Sequence, residues 1–299
     1  MKTGRKAVIL SIAMQWRPID ELLTILGEHA QKDCDLILLP ETCLGNELII
    51  QMDGEEIRQI SAIAEKYSKY IVFPVYRSTP QAERVNSALL FNRKGELVGA
   101  YDKVYPYWEE YNLIPPVATG KEVCVFQTDF GRIGIAICFD VNFTEIWRFF
   151  RQEGVELVLW PSAYSGGRSL QAHAINYNYY IISSTQKSDC HVYDITGQET
   201  FYGKSGNIGV FRNEVDLDRC IFHQDFNITL RDRLLKEHFD EIEMDVWHEK
   251  EGWFTLCAQK EGVSARALAK SFGIEELPAY KKRSEHEIDL IRGVSLRGG

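Results

Sequence analysis

Seven of the 299 residues are cysteine, and no two of them stand in a C-x-x-C pair. An odd, scattered set (34, 43, 124, 138, 190, 220 and 257) argues against a disulfide framework or a zinc ribbon and fits a reducing cytoplasm. Positive charge is also short. Lys and Arg total 34 against 43 Asp and Glu, a net charge of −9, so no overall field draws the chain to nucleic acid or to an anionic membrane. No apolar run approaches the roughly 18 residues of a membrane span. The apolar stretch 7–14 follows basic residues, as in a signal peptide, but Gln15-Trp16-Arg17-Pro18 interrupts it and it reads as a first strand. H-E-x-x-H and paired His/Cys ligand spacings are missing among the seven histidines, so neither a metal nor a cofactor is implied. Gly203-Lys204-Ser205 resembles the end of a phosphate loop, yet residue 198, where the first glycine must fall, is Gln. Repeats, low-complexity runs and linkers are absent too.

What is present is the composition of an ordinary folded protein, 45% hydrophobic and 26% charged, long enough for one large domain or two small ones. Strand-like and helix-like periods alternate. Pro18 opens a helix whose face is Ile19, Leu22, Leu23, Leu26 and Ala30, and Asp35–Leu39 is a short buried strand ending at Pro40-Glu41. A second helix carries Ile57, Ile60, Ala64 and Tyr67 before the strand Tyr70–Tyr76. Arg93-Lys94-Gly95-Glu96 joins two arms of a hairpin, with Lys103 just after the second arm. Strands are expected near 122–127 and 132–137, then a helix with Ile146, Phe149 and Phe150, the strand Val155–Trp160, a helix over 168–178, and the strand Tyr180–Ser184. Residues 190–223 read as short strands with a turn at Thr196-Gly197, and from about 228 the pattern becomes helical and more charged. The expectation is an α/β domain over 1–228 with a helical C-terminal extension over 229–299.

Three isolated reactive side chains follow strand-like segments: Glu41 in Leu-Leu-Pro-Glu-Thr, Lys103 in Tyr-Asp-Lys-Val-Tyr-Pro, and Cys138 in Ile-Ala-Ile-Cys-Phe-Asp. A thiol is nucleophilic only as thiolate, so it needs a nearby base or positive charge, and this trio supplies both. Taken singly, each has a plainer reading. Glu41 serves as a turn carboxylate, Lys103 as a solvated lysine, Glu109 and Glu110 as a solvated acidic pair, and Asp140 and Asn142 as loop or cap hydrogen-bonders. His173 reads as a satisfied core or pocket histidine, and Tyr105, Tyr107, Trp108, Tyr111 and Tyr164 as core aromatics or the walls of a pocket.

The ordered set resembles the carbon–nitrogen hydrolase (nitrilase) superfamily. Its pattern is met at Pro40-Glu41, at Tyr101-Asp102-Lys103, from Phe130-Gly131-Arg132-Ile133-Gly134 into Ile137-Cys138-Phe139-Asp140, and at Trp160-Pro161-Ser162-Ala163. Looser matches are His173-Ala174-Ile175-Asn176 and the turn Asp194-Ile195-Thr196-Gly197, so that coverage runs from about residue 6 to 223. Two departures stand out: Thr144-Glu145 replaces a common Pro-Glu pair, and 105–116 is unusually rich in aromatics and proline, which leaves the second glutamate at 109 or 110. Glu110 is preferred on its place between Lys103 and Gly120.

The resemblance implies a four-layer α-β-β-α sandwich, pairing of subunits into a homodimer or higher homo-oligomer, and a Glu41-Lys103-Cys138 triad assisted by Glu110. It implies a small-molecule, amide-type substrate cleaved through a Cys138 thioester, with the Phe139 N–H as an oxyanion donor and Tyr107, Trp108, Asn142 and Tyr164 around the substrate. Nitrile or N-carbamoyl hydrolysis, acyl transfer, and a catalytically silent scaffold stay open as alternatives. Residues 262–277 faintly resemble a helix-turn-helix; with a net charge of −9 they read instead as two amphipathic helices packing on the body or on a partner subunit.

Overall fold

The computed structural model describes residues 4–294. Strands buried on both faces set its layers. In β1 (Lys6–Met14), Val8, Leu10, Ile12 and Met14 enter one apolar cluster, while Ala7, Ile9, Ser11 and Ala13 are equally buried on the opposite face. Helix α1 (Ile19–His29) begins after Pro18 and turns Leu22, Ile25 and Leu26 into that cluster. Strand β2 (Leu36–Leu38) lies parallel to β1, α2 (Glu55–Tyr67) adds Ile60 and Ala64, and β3 (Tyr70–Ser78) pairs parallel to β2. The hairpin of β4 (Arg84–Phe91) and β5 (Leu97–Asp102) extends the sheet, and β6 (Val117–Ala118) pairs with β4. Its turn works as expected: the Asn92 side chain accepts from the N–H groups of Lys94 and Glu96, and Gly95 takes φ +75° with Ser61 pressed against it.

The second sheet repeats the arrangement. Strands β7 (Val125–Gln127) and β8 (Arg132–Ile135) form its edge, α3 (Thr144–Gln152) leads to β9 (Leu157–Ser162), and α4 (Arg168–Tyr177) leads to β10 (Tyr180–Thr185). Because β8, β9 and β10 are parallel, each helix crosses over one face, where Ile146, Trp147, Phe150, Leu170 and Ala174 pack on Val158, Trp160 and Ile181. Strands β11 (Asp189–Tyr193) and β12 (Glu199–Lys204) complete the order β12-β11-β10-β9-β8-β7. Finally β13 (Ile208–Asp216) returns to the first sheet, giving β13-β1-β2-β3-β4-β5. The sheets meet back to back, with Ser11 Oγ on β1 donating to the Ser183 carbonyl on β10 at 2.9 Å. Helices lie outside and sheets inside, the four-layer α-β-β-α sandwich.

Residues 7–215 form that unit, and 216–294 form a second with 4–6. Here the expectation of a purely helical extension fails. Between α5 (Ile228–Glu237) and the later helices run β15 (Ile242–His248) and β16 (Trp253–Ala258), and with β14 (Cys220–His223) they make an antiparallel sheet in the order β14-β16-β15. The charges of Glu243 and Asp245 hid a period of two, in which Ile242, Met244 and Val246 alternate with acidic neighbours. The segment 262–277, expected to hold two amphipathic helices, contains one, α6 (Ala265–Ser271), and ends where α7 (Leu277–Arg292) begins. Ser264 caps α6, Asp218 accepts from Ser264 Oγ and the Ala265 N–H at 2.6 Å each, and Ala265 and Ala269 join Phe222, Leu234 and Phe254 in one core. No helix among the described residues is long and apolar enough to cross a membrane.

One close approach in the first unit fixes the strand end that carries Lys103. The Gly120 N–H donates to the Lys103 carbonyl at 2.8 Å, and a Cβ on Gly120 would stand 2.0 Å from the Asp102 carbonyl oxygen. Gly120→Ala must therefore move backbone. We expect its unfolding temperature to fall by several degrees, the scale of about 1–3 kcal/mol for overpacking. Differential scanning calorimetry checks this; an unchanged midpoint would show that the segment yields at no cost.

Candidate active site

Polar groups gather beyond the ends of several strands. Glu41 follows β2, Lys103 follows β5, Cys138 follows β8, Ala163 follows β9 and Gln186 follows β10. Loops beyond the carboxyl ends of strands are where α/β sheets leave room for ligands. Glu110 comes from the single 3-10 turn Trp108–Asn112 in the loop after Lys103.

At the centre is the Lys103 ammonium, 1% exposed. It contacts Glu41 Oε1 at 2.7 Å and Glu110 Oε2 at 2.6 Å. Burial alone would lower its pKa, but the negative charge around it, Glu41 foremost, outweighs that and holds it well above the usual lysine range. The carboxylates are themselves held. Asn86 Nδ2 on β4 donates to Glu41 Oε1 at 2.9 Å and to Glu110 Oε1 at 2.8 Å. Tyr76 OH on β3 donates to Glu110 Oε1 at 3.0 Å, the Tyr107 N–H to Glu110 Oε2 at 2.7 Å, and the Ala163 N–H to Glu41 Oε2 at 2.9 Å. Gln186 Nε2 fixes the turn itself through the Glu41 carbonyl at 2.7 Å.

Cys138 opens the 3-10 turn Cys138–Asn142 with φ +47°, in the left-handed region where a residue with a Cβ is strained by about 1–3 kcal/mol. Trp160 Nε1 donates to its carbonyl at 3.2 Å. Burial, followed by the Glu41 charge, pushes the thiol well above its ordinary pKa; the Lys103 ammonium, Ser162 and the Ala163 N–H work against that rise. The thiol thus shares the cavity wall with the Glu41 carboxylate and the buried Lys103 ammonium. Two residues on, fully buried Asp140 staples the turn in place: its carboxyl accepts from the Ile137 N–H at 2.8 Å, Tyr101 OH at 2.8 Å and the Tyr105 N–H at 3.0 Å. This is the plain loop role expected of it, but it ties the Lys103 loop to the Cys138 turn.

A cavity of about 530 Å³ opens onto this network, and Cys138, Lys103, Glu41 and Glu110 all line it. Phe139, Tyr107, Asn142 and Tyr164 line it too, as does Glu109. Trp108, at the start of the 3-10 turn, is not among the lining residues and is 65% exposed. Of the two glutamates, Glu110 is the buried one in the network. Sequence reasoning missed Tyr76, Asn86 and Gln186. Asn86 did leave a signal, a lone amide inside the buried strand Arg-Val-Asn-Ser-Ala-Leu-Leu-Phe. His173 is a core residue, stacked on Trp147 at 4.1 Å with Nε2 against the Val141 carbonyl at 2.8 Å.

Known proteins share this architecture. The carbon-nitrogen hydrolase family model matches residues 10–216. A deaminated glutathione amidase of Synechocystis is 28% identical over 207 residues, covering 58% of this chain and 72% of that protein. The human omega-amidase NIT2 is 23% identical over 159 residues, covering 48% of this chain and 56% of its own length, so the match spans about half of that relative. Among solved structures, Saccharomyces cerevisiae Nit3, of branch 10 of the nitrilase superfamily, superposes with a TM-score of 0.64 at 17% identity over 72% of this chain and 91% of that one. An amidase from Nesterenkonia gives 0.63 at 18% identity over 72% and 92%. At such identities these two likenesses speak for the fold alone.

Asp140 makes a pH prediction. Burial raises its pKa from 3.8 to about 7 against the pull of its three donors, so the folded state holds a proton that the unfolded chain releases. A raised folded pKa stabilises fully below the unfolded value and loses that contribution as pH rises through the folded one. The stability advantage of wild type over Asp140→Asn should thus be largest near pH 4 and shrink toward pH 7, read by urea unfolding across that range. A constant difference would mean that the carboxylate is ionised throughout.

Proposed function

The chain belongs to the carbon-nitrogen hydrolase family, and from that premise we propose that it hydrolyses a small linear amide through a thioester on Cys138. It is an amidohydrolase of the nitrilase superfamily, in keeping with the amidases among its relatives. The observation that carries the finer reading is the buried Lys103 ammonium, clamped by Glu41 and Glu110 in the cavity that Cys138 lines.

Glu41 takes the thiol proton as Cys138 Sγ attacks the amide carbon, and the carbonyl electrons move onto oxygen. Lys103 and the Phe139 N–H stabilise that oxyanion. As it collapses, the C–N bond breaks and Glu41 returns its proton to the leaving nitrogen, releasing ammonia or an amine. Water then attacks the thioester carbonyl while Glu41 accepts its proton, and as the C–S bond breaks Glu41 returns that proton to sulfur, giving the acid and the free thiol. Glu110 is a positioning residue that holds Lys103 with Asn86 and Tyr76. Omega-amides and deaminated glutathione, named in the relatives, belong in the first substrate panel beside simple aliphatic amides.

Mass spectrometry of protein quenched during turnover should find an acyl adduct on the Cys138 peptide. Cys138→Ala should lose both adduct and activity, and retention of more than about a tenth of the activity would overturn the assignment. Lys103→Ala should lower kcat by about 10²–10³-fold, the scale of a lost oxyanion donor, whereas a rise in KM alone would make Lys103 a substrate-binding residue.

A further inference from the structure

The cavity is unevenly charged. Of its described lining residues Lys103 alone carries a positive charge, and both its neighbouring carboxylates already claim it. Facing it are three carboxylates, Glu41, Glu109 and Glu110. Glu41 and Glu110 are saturated by the contacts described above. Glu109 has no hydrogen bond or ion pair among the described residues, and it lies on the exposed rim rather than in the buried network.

Glu109 shares the cavity lining with aromatic side chains. Tyr107 and Phe139 pack edge to face with centroids 5.5 Å apart, and Tyr164 stands on Trp160 at 5.4 Å; all three of Tyr107, Phe139 and Tyr164 line the same space. A cavity lined by a free carboxylate and aromatic rings suits an organic cation, which gains from the charge and from the ring quadrupoles. An anionic tail entering the same space meets an excess of negative charge, and the one basic side chain there, Lys103, is already paired with two carboxylates. A volume of about 530 Å³ leaves room for a tail beyond the amide itself.

We propose that Glu109 sets substrate specificity, and that the site takes amides whose far end carries a protonated amine or guanidinium in preference to amides ending in a carboxylate. This rests on the amide-hydrolase reading and narrows its substrate class. Glu110 belongs to the reacting centre; Glu109, its neighbour in sequence, chooses what reaches it.

The test compares three amides of similar length: 5-aminopentanamide, hexanamide and 4-carboxybutanamide, each as kcat/KM. The expected order is cationic over neutral over anionic, with a step of about five- to tenfold between the first two, the combined scale of a rim ion pair and a cation–π contact. Glu109→Gln should shrink the cationic-to-neutral ratio, Glu109→Lys should move the preference toward 4-carboxybutanamide, and about 0.5 M salt should compress the wild-type ratio. A neutral or anionic amide turned over best, with ratios indifferent to residue 109, overturns the inference and leaves amide hydrolysis standing. A second readout needs no turnover. Site-resolved labelling of Cys138 by 2-aminoethyl methanethiosulfonate should outpace that by its 2-sulfonatoethyl counterpart, with the gap narrowed in Glu109→Gln. If no amide is hydrolysed but that charge selectivity holds, the hydrolase reading fails while the cation-selective cavity survives; equal labelling by both reagents overturns the cavity as well.

Discussion

A lysine ammonium with 1% exposure is the constraint around which this molecule is organised. An isolated charge at that depth would be neutralised or expelled, and it persists only because two carboxylates approach within 2.7 Å. Those carboxylates need partners in turn. All four of their oxygens are accounted for: Glu41 Oε1 by Lys103 and Asn86, Glu41 Oε2 by the Ala163 N–H, Glu110 Oε1 by Tyr76 and Asn86, Glu110 Oε2 by Lys103 and the Tyr107 N–H. Pairing of every carboxylate oxygen restrains the groups around Lys103, which is the sense in which the network is preorganised.

The supply of those partners explains the need for two sheets. Asn86, Tyr76 and Lys103 come from neighbouring positions of the first sheet, but the Ala163 N–H comes from the end of β9 in the second. Glu41 is therefore satisfied only when the sheets are stacked in register, and Gln186 beyond β10 repeats the check on its backbone. Cys138 is placed by a different device, a strained left-handed turn whose cost the surrounding hydrogen bonds to Asp140 and Trp160 offset.

Legibility in the sequence followed the same division. Elements with a strong period, such as α1 with Leu22 and Leu26 or the Gly95 hairpin, could be read locally because a single face or turn decides them. Glu41, Lys103 and Cys138 stood out as reactive types at strand ends. Asn86 and Tyr76 did not, since a polar residue inside a strand looks like an edge position until the fold shows that it is buried beside two carboxylates. Trp108 failed for a related reason: on a 3-10 turn neighbouring side chains diverge, so aromatic richness in 105–116 could not say which rings face the cavity. In 242–258 acidic residues alternating with apolar ones read as helix, because pairing with β14 is a long-range fact.

On the mechanism proposed above, the charge count of the site shows how a thiol with a raised pKa could serve as the nucleophile. Counted with two carboxylates, one ammonium and a thiol, Glu41, Glu110, Lys103 and Cys138 sum to one negative charge. A preformed thiolate would add a second negative charge in a region that excludes water, and burial resists it. Transfer of the proton from sulfur to Glu41 during attack leaves the sum unchanged, because the carboxylate loses the charge that the sulfur gains. Passing that charge to the carbonyl oxygen keeps the sum constant again and brings it toward the Lys103 ammonium. Each step moves charge between groups already held in place, so little reorganisation opposes it. On that mechanism the nucleophile would be made only in the presence of something to attack, with the buried lysine as the fixed charge against which each of those movements is balanced.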